Sequence, residues 1–382
     1  MRPDLTGIVR AGDGILIGQA CAEPQTLTEA LVEQRASFPG ARVFLGVNYS
    51  GIIRPGHADH LRLSAYCGSG HNRALAEAGV LDIHPHPYSR LGALIRERRI
   101  PCDVLLVQVS PPNARGEYSL GLAADYLIPA LAVARAVVAE VNDRVPWTHT
   151  EKLFHREDFA LVVPSSREPA AAPVSKSGEL EQRIARHAAA LVPEGATLEF
   201  GLGALPDAIC AALGGKRLSV HSGTIGDGVA DLLASGSVSA VTAAMLIGSR
   251  KLFEAARENP RIRLRSVEHT HDPRVLGALE RFVAINSAIE VDLTGQVNAE
   301  VARGTYLGAV GGALDFVRAA NQSPGGVSLL LLPAARIVET LQGPVATPRS
   351  EAGVIVTELG AADLRGCSLS ERKSKLKAIS KL

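Results

Sequence analysis

Two glycine-rich segments, one carboxylate and a few histidines are the parts of this 382-residue chain that could do chemistry. Gly201-Leu202-Gly203-Ala204-Leu205-Pro206-Asp207 follows a strand pattern and opens a helix pattern. There, glycine lets backbone N–H groups approach a phosphate or an oxyanion. A simple tight turn has the same spelling. A dinucleotide fingerprint needs a third glycine where Pro206 stands, so a nicotinamide-binding fold is disfavoured. Gly308-Ala309-Val310-Gly311-Gly312-Ala313-Leu314-Asp315-Phe316 is a second such loop, again either a capped turn or an anion cradle. Glu199 lies just before the first loop, as a strand-end charge or as a general base.

Glu268-His269-Thr270-His271-Asp272-Pro273 sets two histidines two apart, a spacing that on a strand points both side chains the same way. No third ligand group accompanies them and Asp-Pro marks a turn, so no metal is expected. His84-Pro85-His86-Pro87 reads as an extended, proline-ordered loop. Serine hydrolysis lacks its Gly-x-Ser-x-Gly elbow. His221 and Ser222 are adjacent on a strand pattern and so point to opposite faces, which makes a nucleophile and base pair a poor reading.

The elements that must hold these residues alternate. Gly14–Gly18, Ala41–Val47 and Asp103–Val109 read as strands, and the unbroken apolar run of the last predicts a strand covered on both faces of a parallel sheet. Thr26 opens a helix, another is expected from about Tyr126 to Arg135, and the alternation argues for open α/β sheets. Between Pro164 and Gly178 the composition turns to Pro, Ser, Ala and Lys, the mark of an exposed linker. A helix over about Leu180–Ala190 and a strand over Ala196–Phe200 then restart the pattern. Two α/β domains follow, 1–168 and 180–382, joined by a linker over 169–179.

Composition narrows the partners. Hydrophobic residues make up 46%, enough for sizeable cores, and 40 Lys+Arg against 39 Asp+Glu give a net charge of +1. With no basic block or acidic tail, neither nucleic acid nor a membrane surface is expected. The amino terminus lacks the charged-then-apolar pattern of a signal peptide and no apolar run reaches membrane-span length, so a cytoplasmic protein is expected. Five scattered cysteines without a Cys-x-x-Cys pair predict reduced thiols.

Longer runs carry a resemblance. Asp103-Val104-Leu105-Leu106-Val107-Gln108-Val109-Ser110-Pro111-Pro112-Asn113 is one, and Val283-Ala284-Ile285-Asn286-Ser287-Ala288-Ile289-Glu290-Val291-Asp292-Leu293-Thr294-Gly295-Gln296-Val297-Asn298 is another. With the two glycine loops, Thr347-Pro348-Arg349-Ser350 and Ala362-Asp363-Leu364-Arg365-Gly366, they resemble the acetyl-CoA hydrolase/transferase family, the 4-hydroxybutyrate CoA-transferase type of class I CoA-transferases. The resemblance spans roughly residues 7 to 372. It implies two open α/β domains of the class I CoA-transferase type, a homodimer, and acyl-CoA and a small carboxylate as substrates, with no covalently bound cofactor. It also implies an oxyanion donor at the backbone N–H of Leu202, a second donor from the Gly311-Gly312 loop, and CoA on the second domain against Gly201, Gly203, Gly311, Gly312 and Asp315.

One departure bears on the chemistry. The family's His-Ser/Thr-Glu-Met-x-Ser-Asp-Gly is here His221-Ser222-Gly223-Thr224-Ile225-Gly226-Asp227-Gly228. The glutamate that carries the acyl group, and then CoA, is thus replaced by Gly223. Trp147 similarly stands where Arg is common in Pro-Arg-Thr. The expected function is therefore CoA transfer to a carboxylate, or hydrolysis of a short acyl-CoA given the missing nucleophile. Glu199 is the candidate substitute base, activating a water in the space vacated at Gly223, and Glu140 a weaker candidate. The alternative is a CoA-binding paralogue without catalysis. Gly223→Glu is expected to restore the carrier unless the glycine holds a backbone angle that only glycine tolerates.

Overall fold

A computed structural model describes residues 3–172, 177–201 and 203–382. Part of the expected linker, residues 173–176, and the expected oxyanion donor Leu202 lie outside the described residues. The chain forms two compact units. One comprises residues 1–173 with 244–269 and 305–307, and the other comprises 174–243, 270–304 and 308–382.

In the first unit seven strands make one sheet: β1 (Gly14–Ile17), β2 (Ala41–Leu45), β3 (Leu61–Ala65), β4 (Leu81–Ile83), β5 (Val104–Val109), β6 (Ala136–Asn142) and β7 (Leu161–Ser165). They lie in the order β4-β3-β2-β1-β5-β6-β7, and every pairing is parallel. All six residues of β5 are buried, as its unbroken apolar run predicts. The core on one face gathers Leu27, Leu31, Val43, Leu63, Val104 and Leu106. The helix Gln25–Gln34 starts where Glu140 reaches it: the Glu140 carboxylate accepts from Thr26 N at 2.7 Å, Leu27 N at 3.3 Å and Thr26 Oγ1 at 3.0 Å. It thus satisfies amides that a helix start leaves orphaned. Glu140 is a structural cap and not a spare base.

A buried amide ties the middle of this sheet. Gln19, just past β1, donates from Nε2 to Tyr88 Oη at 2.8 Å and to Asp125 Oδ2 at 2.6 Å. Its Oε1 accepts from Val47 N and Tyr66 Oη, both at 2.9 Å. Burial raises Asp125 to about 6, against the pull of these hydrogen bonds.

The second unit repeats the plan with β8 (Thr197–Phe200), β9 (Leu218–Ile225), β10 (Val238–Leu246, of which residues 238–243 belong to this unit), β11 (Phe282–Ser287), β12 (Val327–Leu331), β13 (Val354–Thr357) and β14 (Gly360–Asp363). Their order is β14-β13-β12-β11-β8-β9-β10; β14 pairs antiparallel with β13, while β13-β12, β12-β11, β11-β8 and β8-β9 pair in parallel. From β8 the chain moves one way to β9 and β10, then crosses back to β11 and moves the other way. The crevice beyond the carboxyl ends of β8 and β11 is therefore the topological switch point, where open α/β sheets place their ligands. The helix Ala313–Gln322 covers this region, with Phe316, Ala319 and Ala320 packed on Phe282 and Ala284 of β11.

Cys21, Cys67, Cys102 and Cys210 are buried and Cys367 is half-buried, none of them in a disulfide. Among the described residues no helix is long and apolar enough to cross a membrane.

Candidate active site

Glu199 stands on β8 at the switch point. Parallel register places it beside Ala284 of β11, and the β8-β9 register, which pairs Leu198 with Val220, sets it beside His221 one residue on. Side chains in register on parallel strands share a face, and so do residues two apart on one strand. Glu199, His221, Gly223, Ala284 and Asn286 therefore present to one side of the sheet. Phe316, which packs with Phe282 and Ala284, covers the same side.

The carboxyl of Glu199 is only 3% exposed. Asn286 Nδ2 donates to its Oε2 at 2.7 Å, joining the two strands that flank the switch point. Burial pushes Glu199 up to about 8, with the Asn286 hydrogen bond pulling the other way. A carboxyl so placed exchanges protons in the range a general base needs. Asn286 was legible only as one polar residue in an apolar run. Its partner is 87 positions away.

Gly223 lies in β9 and is half-buried. It is absent from the positive-φ glycines, so its backbone is one that any residue adopts. The space in front of it is filled. A Cβ built on Gly223 falls 3.2 Å from His271 Cε1, 3.3 Å from His271 Nε2 and 3.6 Å from Phe316 Cε2. An imidazole thus crowds the space beside Gly223.

Neighbours on two sides hold that ring. Its Nδ1 lies 2.9 Å from Thr270 Oγ1, and its centroid lies 4.5 Å from that of Phe316. His221 Nε2 in turn bonds the carbonyl of Thr270 at 2.9 Å. His271 is 2% exposed, and burial, helped by the nearby His221, drives its pKa down to about 3, so the ring is neutral.

The segment carrying it is not the strand that the two-residue histidine spacing suggested. Val267–Thr270 is a helical turn, and Asp272 caps the next helix, Pro273–Gly277, by accepting from Arg274 N at 2.7 Å. Among the described residues no group of three His, Cys, Asp or Glu could hold a metal ion.

The two glycine loops take different parts. The N–H of Gly201 is committed to the carbonyl of Ile285 at 2.9 Å, so Gly201 offers no donor to a ligand. Gly203 has φ +119°, a conformation that favours glycine, is exposed, and precedes the helix Ala204–Ala212. Gly311 also has positive φ, +59°, whereas Gly312 has φ −92°. Gly312 is needed for space: a Cβ there would run into His271 Nε2 and come within 2.8 Å of Cδ2. Asp315 is half-buried in the first turn of Ala313–Gln322. One group of site residues therefore gathers Gly223, His271, Gly312 and Phe316, and a second gathers Glu199, Asn286 and Gly201.

A stability test follows directly. Gly312→Ala forces the buried ring aside and should cost about 1–3 kcal/mol, as overpacked cores do. Chemical denaturation will show the loss, and the same change made together with His271→Ala should recover most of it.

Comparison with known proteins gives a consistent picture. Profiles of the acetyl-CoA hydrolase/transferase N-terminal and C-terminal domains match residues 2–166 and 248–381. The 4-hydroxybutyrate coenzyme A transferase of Clostridium kluyveri is 32% identical over 383 residues, covering 95% of this chain and 89% of that protein. The crystal structure of RipA from Yersinia pestis superposes with a TM-score of 0.94 at 28% identity, over 98% of this chain and 92% of that one. The 4-hydroxybutyrate CoA-transferase of Porphyromonas gingivalis superposes with a TM-score of 0.80 at 30% identity, over the same shares.

Proposed function

Because this chain belongs to the acetyl-CoA hydrolase/transferase family, we propose that it acts on a short acyl-CoA thioester, with water as the favoured acceptor and Glu199 as the general base. The observation that carries this is the Glu199–Asn286 pair, a buried carboxyl raised to about 8 at the switch point of the sheet. In this reading ionised Glu199 takes a proton from water as the water oxygen bonds to the thioester carbonyl carbon. The tetrahedral oxyanion is proposed to rest on backbone N–H groups of Leu202 and the Gly311-Gly312 loop, since preorganised donors best stabilise a developing oxyanion. Its collapse breaks the C–S bond, and the proton held by Glu199 goes to the CoA sulfur, giving the free acid and CoA–SH. Gly203, Gly311, Gly312 and Asp315 are proposed to lie against CoA, and Gly201 to shape the turn without donating.

The same proposal includes a domain division at 1–168 and 180–382 joined by 169–179, a homodimer, and a cytoplasmic location. Transfer to a carboxylate takes second place because a covalent shuttle needs a carboxylate on the protein, and position 223 supplies none.

Purified protein with a panel of acyl-CoAs should release thiol faster in buffer alone than acetate or succinate can divert acyl-CoA into transfer products. Transfer exceeding hydrolysis overturns the choice of acceptor. Calorimetry that finds no CoA binding at millimolar concentration overturns the family-based reading altogether, and binding without turnover favours the non-catalytic alternative.

A further inference from the structure

Positions 223, 271 and 312 share one small volume. The His271 ring stands 3.2 Å from where a side chain on Gly223 would begin, so close that it must give way by a few tenths of an ångström to admit one, and Gly312 leaves the room in which Nε2 sits. The ring is not a loosely held neighbour that can swing away at little cost. It is 2% exposed, stands 2.9 Å from Thr270 Oγ1 and packs 4.5 Å, centroid to centroid, from Phe316. The Thr270 carbonyl is itself fixed at 2.9 Å by His221, two residues before Gly223 on the same strand. Close-packed interiors resist such displacement, and an inserted side chain is felt throughout its surroundings.

We propose that His271 is a positioning residue that guards position 223: its ring crowds the room an acyl-carrying side chain there would need, so that a carboxylate placed at 223 by itself does not open the covalent route and the site stays with direct attack on the thioester. The inference rests on the acyl-CoA reading above. It differs from the expectation that one substitution restores a carrier, since a carboxylate entering at Gly223 meets the ring at its first carbon.

The test compares variants of the full chain. Gly223→Glu alone should bind CoA but form no covalent adduct and show no gain in transfer from acyl-CoA to acetate. Gly223→Glu with His271→Ala should gain transfer by roughly tenfold or more over that single variant, the scale on which positioning a nucleophile acts.

In the double variant the introduced carboxylate bonds to the acyl carbon and expels CoA thiolate, giving a mixed anhydride. The thiolate then bonds to the glutamyl carbon and releases the acyl carboxylate, leaving a glutamyl thioester. Hydroxylamine converts that thioester to a hydroxamate, and mass spectrometry of the peptide carrying residue 223 reads it. His271→Asn in place of His271→Ala keeps a polar group toward Thr270 and guards against a variant that does not fold.

An adduct in Gly223→Glu alone, equal to that of the double variant, overturns the proposal. So does a folded, CoA-binding double variant, with either Ala or Asn, that forms none. Absence of CoA binding by the unmodified protein would instead overturn the acyl-CoA reading, so the two failures are distinguishable.

Discussion

Glu199→Gln lowers acyl-CoA hydrolysis by roughly 10²–10⁴-fold, the usual contribution of a general base, and leaves CoA affinity close to that of the unmodified protein. The same change makes the fold more stable at neutral and alkaline pH. Glu199 is buried, and its pKa in the folded chain is about 8 against an ordinary 4.5. The fold therefore favours the protonated form. The contribution of this carboxyl to stability is complete below about pH 4.5 and is lost as pH rises to about 8. Glutamine keeps the shape without the ionisation, so the stability gap between variant and unmodified protein should open across that window and level off above it.

Only about one-tenth of Glu199 is ionised at pH 7, so hydrolysis should climb with pH up to about 8. Thermal melts and initial rates at pH 5, 7 and 9 test both statements. Lost activity without the alkaline gain in stability would show that the carboxyl does not sit in the buried setting described here. Undiminished hydrolysis in the variant removes Glu199 as the base.

Gln19→Ala is expected to give the largest loss of stability, roughly 3–5 kcal/mol. The truncation deprives Val47 N–H, Tyr66 Oη, Tyr88 Oη and Asp125 of a partner in a buried place. Each buried polar group left unpaired costs more than a hydrogen bond contributes when made. The deficit should grow as pH rises above about 6. Asp125 is already raised from 3.8 to about 6 by burial, and the Gln19 hydrogen bond is the first of the influences lowering it. Losing that donor raises the folded pKa further, and a carboxyl with a raised folded pKa loses its stabilising contribution as pH increases. Urea titrations at pH 5 and pH 8 measure the difference. A loss below about 1 kcal/mol at both would contradict the network.

Much of the fold was written locally. The run from Val104 to Val109 has no polar alternation and forms a strand buried on both faces. The shift from strand to helix pattern after Phe200 marks the turn that the structure places at the switch point. The site was less legible because its decisive contacts join distant positions. Glu199 could be singled out, but its raised pKa depends on burial and on Asn286. His271 was visible only as one of two histidines with a metal-like spacing. Its role depends on Asp272, whose cap starts a helix at Pro273 and so takes the segment off strand geometry. The absent carboxylate at 223 could be read directly, whereas the ring filling its place could not.

The shared volume at 223, 271 and 312 also fixes an order of events for any lineage of this chain. While the imidazole is present, a carboxylate arriving at 223 or any side chain arriving at 312 meets it at the first carbon. A side chain at 312 clashes with the ring outright and one at 223 needs the ring to give by a few tenths of an ångström, so selection would weigh that crowding before any benefit of covalent chemistry could appear. A carboxylate at 223 is thus one codon away by mutation, but its fitness is tied to the residue at 271.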